Sequence, residues 1–165
     1  MFFPLDRFPV AAALERDWET VRDECLGLPG DDFIAWHERG LYNRDWDVYG
    51  LYLQGRPILE NCIFCPRTAD LLRTVPGLTT AGFSRLAPGT RIGRHVGYTD
   101  RVLRLHLALK VPAGCGLRVG DEIRRWQPGR CFVFDDTIDH EAWNEGDDER
   151  LVLLVDFLRS QDAAS

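Results

Sequence analysis

The stretch that decides the fold runs from residue 81 to residue 158 and consists of apolar segments separated by turns. The segments are AGFSRLAPGTRIGRH (81–95), RVLRLHLALKVP (101–112), GLRVGDEIRRWQPGRCFVFDD (116–136) and RLVLLVDFL (150–158). Within them, apolar residues recur with a period of two, which is typical of strands. The breaks are turn tripeptides: PGT at 88, PAG at 112, VGD at 119 and PGR at 128. Short strands with little room for helices between them predict a mainly β jelly roll rather than a parallel α/β sheet.

The residues before this region predict helices. Between residues 6 and 27, apolar side chains recur at mostly three- and four-residue spacings with charges between them, which is typical of an amphipathic helix that ends before Pro29. CPRTADLLRTVPG (65–77) predicts a second, short helix, and the stretch between them, to about Gly55, predicts one or two strands. We expect the helices to cover the outside of the jelly roll.

Length and charge limit the architecture and the partners. A chain of 165 residues has the size of one domain, so we expect a single unit over 1–165, with a helical front at about 1–80 and a strand-rich core at about 81–158. A net charge of −6 lacks the basic footprint of a nucleic-acid-binding protein. Charged residues interrupt the N-terminal apolar stretch before a signal or membrane segment forms. We therefore expect a cytoplasmic protein with neither nucleic-acid nor membrane partners.

The five cysteines are an odd number, which does not suggest a secreted protein held together by disulfides. Cys62 and Cys65 form a C-x-x-C, which is compatible with redox chemistry or with half of a zinc site. No second C-x-x-C completes a four-thiolate site. Buried reduced thiols, or one local disulfide, are the competing interpretations.

The segment 102–110 has two opposite faces. Four leucines occupy one parity, and Arg104, His106 and Lys110 occupy the other. In one interpretation the leucines face the core and the ionisable side chains face water. In the other, the leucines meet the outer helices while Arg104 and His106 line the interior, where a guanidinium needs a carboxylate or phosphate partner. The sequence pattern leaves both interpretations open.

Two of the four histidines, His95 and His140, lie at predicted strand ends. Histidine is the commonest metal ligand, but an isolated histidine is more often a surface or hydrogen-bonded core residue. Because the two are far apart in the chain, they form a site only if the fold brings them together.

Two longer stretches resemble the aspartyl/asparaginyl β-hydroxylases, which are non-haem iron(II) oxygenases dependent on 2-oxoglutarate. They are GFSRLAPGTRIGRHVGYTDRVLRLHLALKVP and WQPGRCFVFDDTIDHEAWNEGDDERLVLLVDF. The resemblance covers about Asp45 to Phe157 and rests on the ordered string H-x-G, R-x-H, FDD, H-x-x-W and a later arginine. It implies a double-stranded β-helix, the cupin-like form of the jelly roll, with the helices packed outside.

The resemblance implies that His95 and His140 are the metal ligands, and it implies no further catalytic residue. Most enzymes of this class add a carboxylate two residues after the first histidine. That position is Gly97 here, as in the aspartyl hydroxylases, which leave it to water. The nearby carboxylates are candidate ligands or, in preference, residues that orient the ligating imidazoles: Asp100, Asp135, Asp136 and Asp139.

The resemblance also implies a 2-oxoglutarate site. Arg150 and Ser84 would clamp the distal carboxylate. Arg104 and His106 would hold the carboxylate on the metal side, and Arg104 would also face an acid group of the substrate. Without the resemblance, Arg150 is better interpreted as a solvated residue of the charged run GDDER, and Ser84 as an ordinary strand hydroxyl.

The implied activity is hydroxylation of an sp3 carbon with Fe(II), 2-oxoglutarate and O2. The β-carbon of an Asp, Asn or related residue, in a small molecule or small peptide, is the expected target. Two alternatives stay open: a halogenase, because a missing metal carboxylate makes room for chloride, and a non-catalytic sensor of organic acids. Val102 stands where the family has a further arginine, so recognition of an acidic substrate is open. Trp143 is either a wall of the substrate pocket or a structural aromatic. The substrate's identity and the oligomeric state are not predicted.

Overall fold

The computed structural model describes residues 1–159, and the single unit predicted over 1–165 extends to residues 160–165, outside the described part. The helices are α1 (Pro9–Arg16), α2 (Trp18–Leu26), α3 (Leu59–Cys62) and α4 (Pro66–Arg73). The strands are β1 (Ile34–Ala35), β2 (Trp46–Leu53), β3 (Arg56–Pro57), β4 (Leu78–Leu86), β5 (Arg91–His95), β6 (Val102–Lys110), β7 (Cys115–Val119), β8 (Glu122–Arg124), β9 (Cys131–Phe134), β10 (His140–Asn144) and β11 (Arg150–Leu158). Within residues 1–159, no helix has the length and apolarity needed to cross a membrane.

Two antiparallel sheets enclose a shared apolar interior. The larger sheet has the order β1-β2-β4-β11-β6-β9, with β3 paired to β2, and the smaller has the order β5-β10-β7-β8. Neighbours such as β4 and β11, or β5 and β10, are far apart in sequence, as the crossovers of a jelly roll require. Side chains from both sheets form one of the two core clusters. The predicted mainly β double-stranded β-helix is confirmed.

Strand β6 shows which face of the larger sheet is the inner one. Leu105 and Leu107 are fully buried in a cluster that includes Leu14 and Val21 of the N-terminal helices. The opposite parity of β6, with Arg104, lines a pocket between the sheets. The interpretation in which the leucines meet the outer helices is therefore confirmed, and Arg104 and His106 look inward rather than toward water, whereas Lys110 at the end of the strand pairs with the exposed Asp148.

The N-terminal helix predicted over 6–27 is in fact two helices. They meet at Asp17, whose backbone angles (φ −103°, ψ 15°) depart from helical values. Helix α1 buries Leu14, and α2 buries Val21 and Cys25. The break lets each short helix set its own apolar residues against the sheet, and aspartate is a poor residue for a helix interior.

The second predicted helix is confirmed as α4. Its first turn is held by the Glu24 carboxylate of α2, which accepts the backbone N–H groups of Arg67 and Thr68 at 2.9 and 2.7 Å. These contacts satisfy donors that have no partner within the helix. The one or two strands predicted before Gly55 are β1 and β2, which both belong to the larger sheet, so that sheet begins upstream of residue 81, at Ile34.

All five cysteines are buried free thiols. Burial raises the pKa of the Cys65 thiol to about 12, and Cys62 Sγ donates to the Leu51 carbonyl at 3.3 Å. The thiolate is the form that reacts and binds metals. The C-x-x-C is therefore poorly suited to redox or zinc chemistry and agrees with the interpretation as buried thiols.

Candidate active site

His95 and His140 lie side by side in the smaller sheet. His95 ends β5, His140 begins β10, and the two residues are directly opposite each other in the antiparallel register. Their ring centroids are 4.2 Å apart. The crossover that pairs β5 with β10 thus brings together two imidazoles from distant parts of the chain.

Backbone contacts fix the tautomer of both rings. Nδ1 of His95 lies 2.7 Å from the Gly93 carbonyl oxygen, and Nδ1 of His140 lies 2.8 Å from that of Ile138. A carbonyl oxygen only accepts, so each Nδ1 carries the proton and each Nε2 keeps its lone pair. Metal-ligating histidines are commonly held by such a second hydrogen bond. The two Nε2 atoms fit a first-row divalent metal such as Fe(II).

The described residues place no third His, Cys or carboxylate with these imidazoles in a metal-binding cluster. Three of the four predicted carboxylates are directed elsewhere. Asp139 pairs with Arg94 and Arg118, Asp135 pairs with Arg159, and Asp100 is exposed. The protein therefore offers two imidazoles and leaves other coordination positions to small ligands.

Asp136, the fourth carboxylate, lies against Gly97. Its backbone carbonyl accepts the Gly97 N–H at 2.7 Å, and a Cβ built at position 97 would overlap its carboxylate. The carboxylate is buried, and its Oδ1 has no hydrogen-bond partner among residues 1–159. Position 97, where most enzymes of this class carry a metal-binding carboxylate, is thus kept side-chain-free by a steric requirement of this fold.

Gly97→Ala is expected to lower the free energy of unfolding by roughly 1–3 kcal/mol, because the added methyl group has no space beside Asp136. Gly40→Ala is the matched control, since a Cβ at position 40 meets nothing within 4 Å. Chemical denaturation of both variants measures the difference. Equal stability of the two variants would contradict the close contact at Gly97.

Lowering the pH is expected to destabilise the metal-free protein. Burial lowers the pKa of His140 from 6.5 to about 4 and also lowers that of His106. Both rings stay neutral in the folded state while the unfolded chain takes up protons. For His140 the free energy of unfolding therefore falls between pH 6.5 and 4, by up to about 1.4 kcal/mol per pH unit, and His106 acts in the same direction.

Thermal unfolding across this range measures the effect, and His106→Phe should flatten the pH profile. Burial raises the pKa of Asp136, so that carboxyl acts in the opposite direction. The difference between wild type and His106→Phe isolates the contribution of the histidine. Identical pH profiles would show that His106 is not held neutral.

Arg150 is a buried cation without a protein anion. Its side chain is at the start of β11, the residue is 1% exposed, and no carboxylate of residues 1–159 pairs with it. Burial lowers its pKa to about 10, and its Nε has no hydrogen-bond partner among the described residues. Nη2 donates to Ser84 Oγ at 2.9 Å. A guanidinium in this position needs an anionic ligand to complete its hydrogen bonding.

Ser84 supports the same conclusion. Its Oγ accepts from Arg150 and also from the Trp46 indole N–H at 2.9 Å. A hydroxyl oxygen that accepts two hydrogen bonds has its own proton free for a third group. Arg150 and Ser84 together therefore present donors to an acceptor that the described residues do not supply.

His106 is a further donor without an acceptor. Its Nδ1 lies 3.3 Å from the indole nitrogen of Trp126, and an indole N–H only donates, so Nδ1 is the acceptor and Nε2 carries the proton. That Nε2 is buried and has no partner among residues 1–159. An N–H buried in this way is costly unless a ligand accepts its hydrogen bond.

Arg104, in contrast, already has a protein anion. Its Nε and Nη2 each lie 2.8 Å from an oxygen of Asp156, and Asp136 lies 3.7 Å away. Burial alone would lower the pKa of Arg104, but the Asp156 carboxylate raises it overall. The predicted contact with a carboxylate of 2-oxoglutarate or substrate is therefore restricted to the Nη1 side of this guanidinium.

These side chains line a narrow pocket between the sheets. Its walls include six predicted site residues: Ser84, His95, Arg104, His106, His140 and Arg150. Its volume is about 30 Å³, which holds about one water molecule. A wider cleft of about 670 Å³, beside Phe2 and Arg130, contains none of these six residues.

Trp143, predicted as a candidate wall of the substrate pocket, does not line this pocket. Along β10, His140 and Ala142 are buried on the inner face, so Trp143 has the opposite parity. Its half-buried ring packs over the Arg91 guanidinium, 5.3 Å from the ring centroid, and against Gly116. This packing agrees with the alternative interpretation as a structural aromatic.

The family assignment rests on a match that covers most of the chain. Residues 15–160 match the family profile described as Aspartyl/Asparaginyl beta-hydroxylase. The chain belongs to the aspartyl/asparaginyl β-hydroxylase family. The histidine pair and the buried arginine thus lie within the part of the chain that defines this family.

Curated relatives match most of this chain but extend well beyond it. An ornithine lipid ester-linked acyl 2-hydroxylase of Rhizobium tropici is 36% identical, over 92% of this chain and 58% of its own length. The human aspartyl/asparaginyl beta-hydroxylase is 35% identical, over 87% of this chain and 20% of its own. The human aspartate beta-hydroxylase domain-containing protein 2 is 40% identical, over 92% and 45%. The chain therefore spans between about a fifth and just under two thirds of the length of these relatives.

Solved structures of other proteins superpose on this chain and have the same fold. A predicted oxalate decarboxylase from Thermotoga maritima superposes with a TM-score of 0.53 at 14% identity, covering 77% of this chain and 90% of its own. A putative ethanolamine utilization protein from Salmonella typhimurium superposes with a TM-score of 0.50 at 11% identity, covering 79% and 83%. At these identities the likeness supports the cupin-like jelly roll alone.

Sequence reasoning missed three residues of the site: Trp46, Trp126 and Asp156. Trp46 and Trp126 hold Ser84 and His106 by their indole N–H groups. Asp156 was detectable in principle, because it is the one charged residue inside the apolar run after Arg150. The two tryptophans carried no such signal, since apolar aromatic residues are frequent in any core.

Proposed function

We propose that this protein is an Fe(II)- and 2-oxoglutarate-dependent hydroxylase that acts on an sp3 carbon. The observation that carries the proposal is the buried Arg150 guanidinium, which has no carboxylate partner among residues 1–159 and lines the same pocket as two imidazoles with free Nε2 atoms. A ligand with carboxylates and a metal-binding keto group matches both features at once.

Different residues of the pocket would bind the metal and the two carboxylates of 2-oxoglutarate. His95 and His140 would hold the iron through Nε2. Arg150 and Ser84 would hold the distal carboxylate of 2-oxoglutarate, and His106 would donate from Nε2–H to the carboxylate near the metal. When bound, iron and 2-oxoglutarate supply the oxidising chemistry, which consumes O2, releases succinate and CO2 and places one oxygen atom in a C–H bond. The chain itself orients the reactants and excludes water.

The substrate is proposed to be a small molecule or small peptide. The names of the relatives indicate that the family serves different substrates, since one acts on an ornithine lipid and another on Asp or Asn residues. Val102 is buried and apolar where a second arginine would recognise an acid group, and Arg104 is paired with Asp156. These features favour a substrate that is less acidic than an aspartyl residue. The buried free thiols support a reducing location such as the cytoplasm.

Incubation with Fe(II), 2-oxoglutarate, O2 and a panel of amino acids and small peptides tests this proposal. Succinate release above the level of a His95→Ala, His140→Ala variant, with a product that has gained one oxygen atom, is the expected result. Binding of 2-oxoglutarate without succinate would indicate the sensor instead. Replacement of hydrogen by chlorine would indicate the halogenase.

A further inference from the structure

Trp126 contacts both of the donors that have no anionic partner in the pocket. It is 4% exposed and lies in the connection between β8 and β9. Its indole N–H donates to His106 Nδ1 at 3.3 Å, and the guanidinium carbon of Arg150 lies 4.7 Å from its ring centroid. A single side chain therefore supports two groups from different strands, β6 and β11.

The indole N–H determines what His106 offers to a ligand. A neutral imidazole can carry its proton on either nitrogen, and the tautomer follows the hydrogen bond that one nitrogen makes. Donation from Trp126 to Nδ1 places the proton on Nε2, which is buried and has no other partner among the described residues. The other tautomer would leave a lone pair on Nε2, which would repel a carboxylate instead of binding it.

The indole ring determines where the Arg150 guanidinium lies. A cation over the face of a tryptophan is attracted by the ring, most strongly where water is excluded. Arg150 is fully buried and has only Ser84 as a hydrogen-bonding neighbour at its Nη2. The Trp126 ring therefore compensates part of the charge before a ligand arrives and keeps the donors of the guanidinium oriented.

We propose that Trp126 is a positioning residue for anion binding, which sets His106 as an Nε2–H donor and holds the Arg150 guanidinium for a dicarboxylate. The identity of that dicarboxylate as 2-oxoglutarate rests on the proposed function. The effect on the tautomer of His106 does not, because both partners belong to this chain.

The first test measures the tautomer of His106 by long-range ¹H–¹⁵N NMR of the metal-free protein, with the resonances assigned by a His106→Gln variant. Wild type should show the proton on Nε2. Trp126→Phe, which keeps an aromatic ring and removes the N–H, should show a mixture of tautomers. A proton on Nδ1 in wild type, or an unchanged tautomer in Trp126→Phe, would overturn the proposal.

The second test measures 2-oxoglutarate affinity by calorimetry with Mn(II) in place of Fe(II) and without oxygen. Trp126→Phe should weaken binding about tenfold, the factor that corresponds to the net value of one hydrogen bond. Trp126→Ala, which also removes the ring over Arg150, should weaken it about a further tenfold. Trp18→Phe is the matched control and should bind as wild type does, since Trp18 lies in α2 outside the pocket.

The outcomes separate this inference from the function on which it rests. If wild type does not bind 2-oxoglutarate, the proposed function fails, while the tautomer measurement still decides the role of Trp126. If wild type binds and Trp126→Phe binds equally well, the positioning role fails and the proposed function stands. Thermal unfolding of each variant shows whether a loss of binding comes from misfolding. If Trp126→Ala does not fold, the result for Trp126→Phe decides.

Discussion

His140→Ala is expected to abolish succinate formation and to weaken Mn(II) binding by more than about a hundredfold. Loss of a group that merely orients a ligating histidine costs 10–100-fold in metal affinity, so loss of the ligand itself should exceed that range. His140 supplies one of two neighbouring Nε2 lone pairs, and residues 1–159 provide no third side chain in a metal-binding cluster with them. Anaerobic titration with Mn(II), followed by electron paramagnetic resonance, measures the affinity.

His37→Ala is the matched control for this experiment. Its side chain is 78% exposed and does not line the pocket, so metal affinity and turnover should equal those of wild type. Because His140 is buried, thermal unfolding of His140→Ala establishes first that the variant is folded. A folded His140→Ala that binds Mn(II) as tightly as wild type would rule out the two-histidine site.

Turns and alternation were enough to predict the jelly roll, but they did not decide the inner face. Strand β6 is the instructive element, because its leucines pack against the helices while the buried His106 and the half-buried Arg104 line the pocket between the sheets. Hydrophobic alternation distinguishes two faces and does not say which of them meets a second layer. The N-terminal helices supply that layer in this protein, so the usual rule that apolar residues point to the lumen is reversed along β6.

The resemblance to a known family selected six side chains that line one pocket. Without it, Arg150 would have been interpreted as part of a solvated charge run, although the residue is only 1% exposed. A charged residue at the start of an apolar strand gives no local sign of burial, because its environment comes from β4, β6 and the connection that carries Trp126. Contacts of this kind depend on strand register between distant segments.

The break at Asp17 and the pairing of Arg104 with Asp156 were missed for the same kind of reason. Apolar spacing continues across Asp17, so the pattern alone predicts one helix. Asp156 is directly opposite Arg104 in the register of β11 and β6, a relation that no local pattern encodes. This pairing affects the site, because the Nε and Nη2 donors of Arg104 already bind Asp156 and are not free for a ligand.

Arg150→Met is expected to stabilise the metal-free protein while weakening 2-oxoglutarate binding by about a hundredfold or more. The apolar side chain removes a buried charge that has no carboxylate partner among the described residues, and keeping such an ion out of water costs several kcal/mol. The same change removes charge-assisted hydrogen bonds to the ligand, each worth about 1.5–3 kcal/mol. Chemical denaturation and calorimetry with 2-oxoglutarate measure the two effects.

Arg85→Met provides the comparison, because Arg85 shares strand β4 with Ser84 but pairs with Asp47 at 3.1 Å, on the opposite parity. It should leave 2-oxoglutarate binding unchanged and give no gain in stability, since its charge already has a partner near the surface. A gain in stability together with a loss of 2-oxoglutarate binding, seen in Arg150→Met and not in Arg85→Met, would show that Arg150 serves ligand binding at a cost in stability. If Arg150→Met were destabilising and still bound 2-oxoglutarate normally, Arg150 would be a structural residue and its burial would need another explanation.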